Sequence, residues 1–221
     1  MTTPGPDHFF SCPHCKTVLR RWTLGSGNTM GATLWSDGLL DAPMLPEPIT
    51  VTRCPACRKA FFIDDAEDLG EHWTFATGRS SSGEPLPAEF QTAPHVGDAG
   101  LRALASLVAH TSNLDRLRFL CLAIWRTCND DVRCPPRQGP APKRAGFDSN
   151  LERLIGLLAD DRGSDQLLKG EALRELGRYD QAVAALEDID PQWAWVADQI
   201  RSMAQAGSST VAVLRQPGNS R

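Results

Sequence analysis

Two short stretches of the chain each place a pair of cysteines two residues apart. "SCPHCKTVL" carries Cys12 and Cys15, and "TRCPACRKAFF" carries Cys54 and Cys57, with 38 residues between the two pairs. Four thiolates suit a tetrahedral zinc ion with bonds of about 2.3 Å. The two-residue spacing lets one tight turn aim both sulfurs at a single point, and the proline in each pair helps to preset that turn. We therefore expect these four cysteines to bind one zinc ion.

The same cysteine pairs have other interpretations. A thioredoxin-like redox pair requires a single C-x-x-C motif where a strand leads into a helix, whereas this chain has two matching pairs in a stretch rich in strand formers. Free cysteines without a metal remain an alternative. If zinc binds, four cysteines complete its tetrahedral shell and leave no open position for a substrate. The pattern therefore predicts a structural zinc and not a catalytic one.

The two C-P-x-C pairs resemble the knuckles of the zinc-ribbon family, in which each pair lies on a β-hairpin. The resemblance covers about residues 8–65. The ligands that it implies are Cys12, Cys15, Cys54 and Cys57. The chain departs from the family in two respects. Lys16 and Arg58 follow the second cysteine of each pair, where the family often has glycine. The insert between the pairs is also long, which implies an elaborated hairpin.

Other residues of metal-binding type have simpler interpretations. His14 lies between the first two ligands, where its own coordination would strain the turn, so we expect it to face solvent. A second group consists of Cys121, Cys128 and Cys134, with His110 upstream. The spacing of these cysteines matches no metal motif, and Cys121 and Cys128 share a helical face. Burial of the three as small apolar side chains is therefore favoured over a second metal site.

No combination of residues resembles a catalytic set. The adjacent carboxylate pairs are candidates by residue type alone, because such neighbours point in different directions and more often mark caps or solvated turns. These pairs are Asp64–Asp65, Asp130–Asp131 and Asp160–Asp161. The glycine-rich "GSGNTMG" precedes no convincing helix and contains no Lys-Ser or Lys-Thr pair, so a phosphate-binding loop is not expected. We therefore predict that the chain is not an enzyme.

The composition of the chain sets its class. It has 221 residues, a hydrophobic fraction of 41% and a formal net charge of −4, which is typical of a globular protein without a basic field for nucleic acid or anionic lipid. The N-terminus lacks the charged and apolar regions of a secretory signal, and no apolar run is long enough for a membrane helix. We expect a protein of a bacterial-type cytoplasm that binds no membrane.

The elements that would carry the cysteines are short strands. Residues 8–75 contain apolar or alternating runs separated by turn residues, which predicts strands, and Asp37-Gly38 predicts a two-residue hairpin turn. A small zinc module needs large side chains for its core. We expect the tryptophans of this part to supply them: Trp22, Trp35 and Trp73.

Beyond a stretch rich in proline and serine, the apolar period becomes helical. It predicts helices over 98–110, with Asp98 as the N-cap, over about 113–129, and from near 150 to 206. The predicted fold class is therefore α+β, a small β-rich zinc ribbon followed by an all-α helical-hairpin domain. The predicted division is a metal-binding domain at 1–78, a linker at 79–97, a helical domain at 98–207 and a tail at 208–221.

One helical stretch, "LLKGEALRELGRYDQAVAALEDIDP" at 167–191, resembles a single tetratricopeptide repeat. The resemblance implies that Gly170 and Ala182 let two helices approach closely. It also implies that Gly177 ends the first helix and that Tyr179 opens the second. A single repeat cannot bury its own faces and requires stacked neighbours. A short helical array and an irregular bundle are therefore equally compatible with the sequence.

These features favour a non-enzymatic interaction or adaptor protein, in which a structural zinc site and a helical surface bind partners. We expect the partner to be a protein. A zinc-ribbon module that binds nucleic acid in transcription or translation is the alternative, and an enzyme with an unrecognised site is the third. Carboxylates that cluster just after the second cysteine pair disfavour a phosphate backbone. The combination of ribbon and helices is similar to bacterial proteins with no assigned activity, so that resemblance implies no reaction.

Overall fold

The chain folds into short N-terminal strands followed by helices, as described by a computed structural model for residues 2–73, 86–135, 145–159 and 163–216. The strands are β1 (Thr3–Pro4), β2 (Asp7–Ser11), β3 (Val18–Arg21), β4 (Leu24–Ser26), β5 (Thr33–Leu34), β6 (Leu40–Asp41), β7 (Val51–Arg53), β8 (Ala60–Phe62) and β9 (Glu67–His72). The helices are α1 (Ala88–Gln91), α2 (Leu101–Val108), α3 (Leu114–Arg133), α4 (Phe147–Ile155), α5 (Gly163–Glu175), α6 (Tyr179–Ala184) and α7 (Ala194–Gln205). This order confirms the predicted α+β class. Among the described residues, no helix is both long and apolar enough to cross a lipid bilayer.

Two compact units divide these elements. The β-rich unit consists of Met1–Ala32 and Ala42–His110, and the helical unit consists of Thr33–Asp41 and Thr111–Arg221. These units differ from the predicted division in two places. Thr33–Asp41, which lies between the two cysteine pairs, belongs to the helical unit, and the stretch 98–110 belongs to the β-rich unit. Whether the predicted domains fold independently stays a prediction.

Strand β2 is the centre of a three-stranded antiparallel sheet, with β3 on one side and β9 on the other. Successive side chains of a strand point to opposite faces, so β2 contributes to two apolar clusters. Phe10 packs with Leu19 and Phe61 in the cluster that contains the buried cysteines. Phe9 packs on the other face against Phe90 of α1, with the two rings stacked 4.5 Å apart.

Residues 94–99 brace the two parts of the β-rich unit that carry the cysteine pairs. The amide of Arg20 in β3 donates to the carbonyl of Pro94 (3.1 Å), and the amide of Ala99 donates to the carbonyl of Val51 in β7 (3.0 Å). The first pair lies just before β3 and the second just after β7. The end of the predicted linker is therefore an ordered part of the β-rich unit.

Helix α2 packs against β7 and β8. Its N-cap is Gly100, without a side-chain hydrogen bond, so the predicted cap by Asp98 is wrong. Asp98 lies before the first turn, and burial, followed by the negative charge of Glu47, raises the pKa of its carboxyl. Of the predicted linker, residues 79–85 lie outside the described chain.

Helices α3, α4 and α5 share an apolar cluster in the helical unit. Trp125 of α3, Leu151 of α4 and Ala172 of α5 are all buried there. Helix α3 begins after Asn113, whose side-chain oxygen accepts a hydrogen bond from the amide of Arg116 (3.0 Å) and so satisfies one of the free amides of the first turn. The helix predicted over about 113–129 is confirmed and continues for one further turn.

The hairpin of α5 and α6 contains the tetratricopeptide-like stretch. Gly177 has a left-handed φ of +77°, and the amide of Arg178 donates back to the carbonyl of Leu173 (2.9 Å), which confirms the predicted helix end. A Cβ on Gly170 would lie 2.6 Å from Cγ of Leu186, so only glycine fits there. The assignment of this hairpin to the tetratricopeptide family stays a prediction.

The tryptophans do not form the core that the sequence predicted for them. Trp22 and Trp73 are 43% and 42% exposed, and Trp35 belongs to the helical unit, where the guanidinium of Arg133 lies 5.3 Å from its ring centroid. The phenylalanines of β2 and β8 are buried instead. They lie on the strand before the first cysteine pair and on the strand after the second, so the strands that carry the cysteines also supply the large buried side chains.

A candidate metal centre built from two matched turns

The first cysteine pair lies in the turn that joins β2 to β3. Cys12 directly follows β2, and its amide donates to the carbonyl of Thr17 (2.9 Å). Its carbonyl accepts from the amide of Lys16 (2.9 Å). These two hydrogen bonds close the chain over few residues, so Cys12 and Cys15 lie on the same side of one tight turn.

The second cysteine pair repeats this turn between β7 and β8. The amide of Cys54, directly after β7, donates to the carbonyl of Lys59 (3.0 Å). The amide of Arg58 donates to the carbonyl of Cys54 (2.9 Å), as Lys16 does in the first turn. Two separate parts of the chain therefore present their cysteines with the same backbone geometry.

Each turn contains a residue in a conformation that favours glycine. Lys16 has a φ of 63° and Arg58 a φ of 64°, and in the described part of the chain they are the only non-glycine residues with positive φ. An L-amino acid in this region costs about 1–2 kcal/mol. Lysine and arginine at these two positions, where glycine would fit freely, therefore strain each turn.

The four sulfurs of the cysteine pairs converge. All four Sγ atoms lie within 4.8 Å of one another, with 3.8 Å between Cys12 and Cys57 and 3.6 Å between Cys15 and Cys54. Zinc–sulfur bonds of about 2.3 Å at tetrahedral angles separate the sulfurs by about 3.8 Å. The predicted ligands therefore come together, and they could hold one metal ion.

The sulfurs differ in their surroundings. Burial raises the pKa of the Cys12 thiol to about 12, although the amides of His14 and Cys15 oppose the shift. Burial likewise raises the pKa of Cys54. By contrast, the hydroxyl of Thr17, 3.3 Å from the Cys15 sulfur, and then the Thr17 amide lower the pKa of Cys15 to about 6. A bound cation would favour the thiolate at every position, because thiolates are the form that binds metal.

The candidate centre is closed on one side and open on the other. Cys12 and Cys54 are fully buried and belong to the apolar cluster that contains Phe61. Cys57 is half-buried and Cys15 is exposed. Four protein sulfurs would fill a tetrahedral shell, so this arrangement can cross-link two turns but offers no position to a substrate.

The remaining predicted ligands do not form a second centre. The His14 side chain is exposed, with its ring 6.2 Å from that of Phe61, which confirms that it faces solvent. Cys121 is buried and Cys128 half-buried in an apolar cluster, as predicted, whereas the predicted burial of Cys134 is wrong, because it lies exposed at the C-cap of α3. In the described residues, the four-cysteine group is the only cluster with converging ligand atoms.

Members of the two described carboxylate pairs are exposed. Asp64 and Asp65 are exposed on a short 3-10 turn, and Asp130 is exposed with Arg133 at 2.9 Å. The pair Asp160–Asp161 lies outside the described residues. The described pairs therefore behave as turn and surface carboxylates.

Two features of the centre were not predicted from the sequence. Thr17 contacts the Cys15 sulfur, and its signal is a hydroxyl two residues beyond the second cysteine of a pair. The brace at residues 94–99 links the strands beside the two turns, and its sequence carries no periodic signal. Both features support the position of the sulfurs.

Comparison with known proteins gives no relative of this chain. No protein-family model, curated protein or solved structure matches it. The candidate metal centre is therefore characterised by its own geometry: two matched turns, four converging sulfurs and amide or hydroxyl groups around them.

Proposed function

We propose that this chain is a zinc-binding adaptor protein without enzymatic activity. One structural zinc ion would organise the β-rich unit, and the helical unit would present a surface to a protein partner. The observation that carries the proposal is the convergence of four cysteine sulfurs at the separations of a tetrahedral zinc shell. When bound, zinc would supply a cross-link between the two turns.

The ligand set supports a structural and not a catalytic zinc. A catalytic zinc keeps one position open for water or substrate and relies on its positive charge as a Lewis acid. Four thiolates would fill every position and outweigh that charge. An enzyme with an unrecognised site stays the third candidate, because no combination of residues in the sequence resembles a catalytic set.

Exposed apolar side chains on α3 support a protein partner. Leu114 is 67% exposed and Val132 is 44% exposed. They lie 18 residues apart, which is five helical turns, so they share one face of the helix. Phe119, five positions after Leu114, is also exposed but lies about 140° around the helix, off this face. Leu114 and Val132 are therefore the two side chains of this face that a protein partner would contact.

The alternative of nucleic-acid binding has less support, because cations near the cysteine pairs already have carboxylate neighbours. Arg20 lies 3.2 Å from Asp7, and Lys16 lies 3.9 Å from Glu67. Affinity for nucleic acid comes largely from Lys and Arg that neutralise phosphates. These carboxylates would compete with a phosphate backbone at the same place.

Nucleic-acid binding is tested by fluorescence anisotropy with mixed-sequence DNA and RNA at physiological salt. We expect no binding tighter than about micromolar. Submicromolar binding that is lost when the basic residues of the two turns and their strands are changed to glutamine would favour the alternative. Those residues are Arg20, Arg21, Arg53, Arg58 and Lys59.

The partner class is tested by affinity purification from the native host, with and without nuclease. We expect a protein partner that survives nuclease and is lost when Leu114→Glu and Val132→Glu are combined. Met30→Glu is the matched control, because it adds charge at an apolar side chain that is 74% exposed in the β-rich unit. Loss of the partner with nuclease, or equal retention by both variants, would contradict a protein-binding surface on α3.

A further inference from the structure

The chain leaves the β-rich unit between its two cysteine pairs. Thr33–Asp41 belongs to the helical unit, while the chain up to Ala32 and again from Ala42 belongs to the β-rich unit. Thr33–Asp41, the hairpin of β5 and β6, is here called the inserted hairpin. It lies in the middle of the loop that a metal ion at the four cysteines would close.

The tip of the inserted hairpin is anchored to α3. Asp37 is fully buried, and its carboxylate accepts a hydrogen bond from Asn129 Nδ2 (3.0 Å). It also forms an ion pair with the guanidinium of Arg133, whose side chain is only 5% exposed. The carbonyl of Gly38 accepts from Arg126 (2.9 Å). Undocking the tip would take the fully buried Asp37 carboxylate from Arg133 and leave the exposed Asp130 as its ion-pair partner, so the buried pair would be lost.

The base of the inserted hairpin is held by the segment that follows α7. The amide of Ser36 donates to the carbonyl of Ala212 (2.8 Å), and the amide of Ala212 donates to the Ser36 hydroxyl (2.9 Å). The amide of Leu214 donates to the carbonyl of Leu34 (2.8 Å). Leu34 also packs against the cluster around Ile200. The inserted hairpin is therefore an integral part of the helical unit.

The ends of the same loop meet at the candidate metal centre. The sulfurs of Cys15 and Cys54, which bound the loop, lie 3.6 Å apart. Closing a flexible loop costs conformational entropy that grows with its length. When the loop is already closed at the cysteines, only the short segments on either side of the inserted hairpin remain flexible. Without that closure, the hairpin would dock from a long flexible segment that continues to Thr111.

We propose that metal binding by the four cysteines and docking of the inserted hairpin are thermodynamically coupled through the chain that joins them, so that each favours the other. This inference rests on the proposed metal site. The population of closed loops falls roughly as the three-halves power of loop length. Between Asp41 and Thr111 lie 69 residues, of which 12 lie before Cys54, so closure at the cysteines shortens the free segment beside the hairpin about five- to sixfold and corresponds to a coupling of about tenfold. Such a coupling is reciprocal: loss of metal weakens docking, and loss of docking weakens metal retention.

The first arm of the test measures metal retention. Full-length chain competes with a chromogenic chelator for zinc, and the zinc affinity is read at equilibrium. We expect Asp37→Ala to bind zinc about tenfold more weakly than the parent chain. Leu151→Ala is the matched control, because it removes a fully buried side chain from a cluster of the helical unit that does not contain the inserted hairpin. It should leave the zinc affinity unchanged.

The second arm keeps every side chain and lengthens only the two segments that join the inserted hairpin to the β-rich unit. Flexible Gly/Ser linkers are inserted after Gly31, where a Cβ would meet open space, and after the exposed Pro46. In the parent chain, stripping zinc should lower the midpoint of helical unfolding followed by circular dichroism. In the linker variant, the zinc-dependent difference in midpoint should be smaller than in the parent chain, because loop closure at the cysteines favours docking less when the flanking segments are longer.

The outcomes separate this inference from the metal site itself. A parent chain that binds no zinc would overturn both. A parent chain that binds one zinc, but whose helical midpoint does not change on zinc removal and whose Asp37→Ala variant binds zinc as tightly as the control, would overturn the coupling alone. A linker variant whose zinc-dependent shift equals that of the parent chain would show that the coupling does not depend on the length of the flanking segments, and would also overturn it.

Discussion

The β-rich unit and the helical unit are stabilised in different ways. In the β-rich unit the strands range from two residues in β1 to six in β9, and two of the candidate ligands, Cys12 and Cys54, are themselves part of the apolar cluster. In the helical unit, longer helices share clusters of leucine, isoleucine and alanine. That unit also buries a complete ion pair, Arg174 with Glu171, neither of which is exposed to solvent.

The length of the elements in each unit explains which interactions stabilise it. Small units with short strands bury too little apolar surface to be stable alone and commonly depend on a metal or on cross-links. Helices that pack over several turns bury enough surface to tolerate charged groups inside, provided that each charge has a partner. The β-rich unit should therefore depend on its ligand, whereas the helical unit should depend on its internal packing and pairing.

Loss of one cysteine ligand should change stability more than any other single substitution. Cys54→Ser should abolish metal binding and unfold the β-rich unit, because the apparent ~10–16 kcal/mol of zinc binding in small sites is folding free energy. Cys134→Ser changes an exposed cysteine outside the cluster and is the matched control. Metal content and the dispersion of backbone amide NMR signals measure the result. A Cys54→Ser chain with dispersed signals would show that the β-rich unit does not need the metal.

The next effect concerns the buried ion pair of the helical unit. Arg174→Met should destabilise this unit by about 3–5 kcal/mol, because it leaves the Glu171 carboxylate buried and unpaired. It also removes the donor to the carbonyls of Ser208 (2.5 Å) and Thr210 (2.9 Å). Chemical denaturation followed by helical circular dichroism measures the loss.

A matched control for that variant is the exposed ion pair between Arg178 and Glu152, whose side chains are 43% and 44% exposed. Arg178→Ala should cost less than about 1 kcal/mol, because solvent screens an exposed pair. Equal losses from Arg174→Met and Arg178→Ala would contradict the role given to burial in the helical unit.

The two units should also respond to pH with opposite sign. Burial, and then the negative charges of Glu171 and Asp37, raise the pKa of Glu175 well above its ordinary 4.5, although Trp125 and Arg174 oppose the shift. The folded state therefore retains a proton that the unfolded state releases. This group's contribution to stability falls as pH rises above about 4.5, with a slope of at most about 1.4 kcal/mol per pH unit.

The β-rich unit should instead lose stability as pH falls, because protons compete with metal for the thiolates.

The prediction for the helical unit is tested by denaturation of Glu175→Gln between pH 5 and 8. The free energy of unfolding of this variant should depend less steeply on pH than that of the parent chain. Glu187→Gln alters an exposed carboxylate of the same unit and should retain the parent slope. Identical slopes in all three chains would exclude Glu175 as the source.

The smallest changes in stability should come from adding glycine at the positive-φ positions of the β-rich unit and removing it from one such position in the helical unit. Lys16→Gly and Arg58→Gly should each stabilise the metal-loaded β-rich unit by about 0.5–1 kcal/mol, since glycine adopts their positive φ without strain. Gly177→Ala, at a φ of +77°, should destabilise the helical unit by about 1–2 kcal/mol. Thermal unfolding of each variant measures the change. The opposite result at Lys16 would indicate that its side chain stabilises the turn.

The candidate site was predictable because its signal is local. Each pair of cysteines lies within one tight turn, so ligand type, spacing and proline are all visible in a few residues. The helix end at Gly177 was predictable for the same reason. The fold class followed from the change of apolar period along the chain.

The rest depended on contacts between distant parts of the chain. Asp37 resembles an ordinary turn residue, and its burial requires Asn129 and Arg133, which lie 92 and 96 positions away. The brace at 94–99 resembles a linker, because it acts through backbone hydrogen bonds and not through an apolar pattern. The exposure of Trp22 likewise follows from how strands assemble, which composition does not reveal.

The most direct test of the account is zinc K-edge X-ray absorption of the purified full-length chain, combined with its zinc content. We predict one zinc per chain, surrounded by four sulfurs at about 2.3 Å and no nitrogen or oxygen ligand. Four converging cysteines require this result if they hold the metal together. A chain without zinc after expression with adequate zinc, a second zinc, or a shell that contains nitrogen or oxygen would contradict a closed four-cysteine centre.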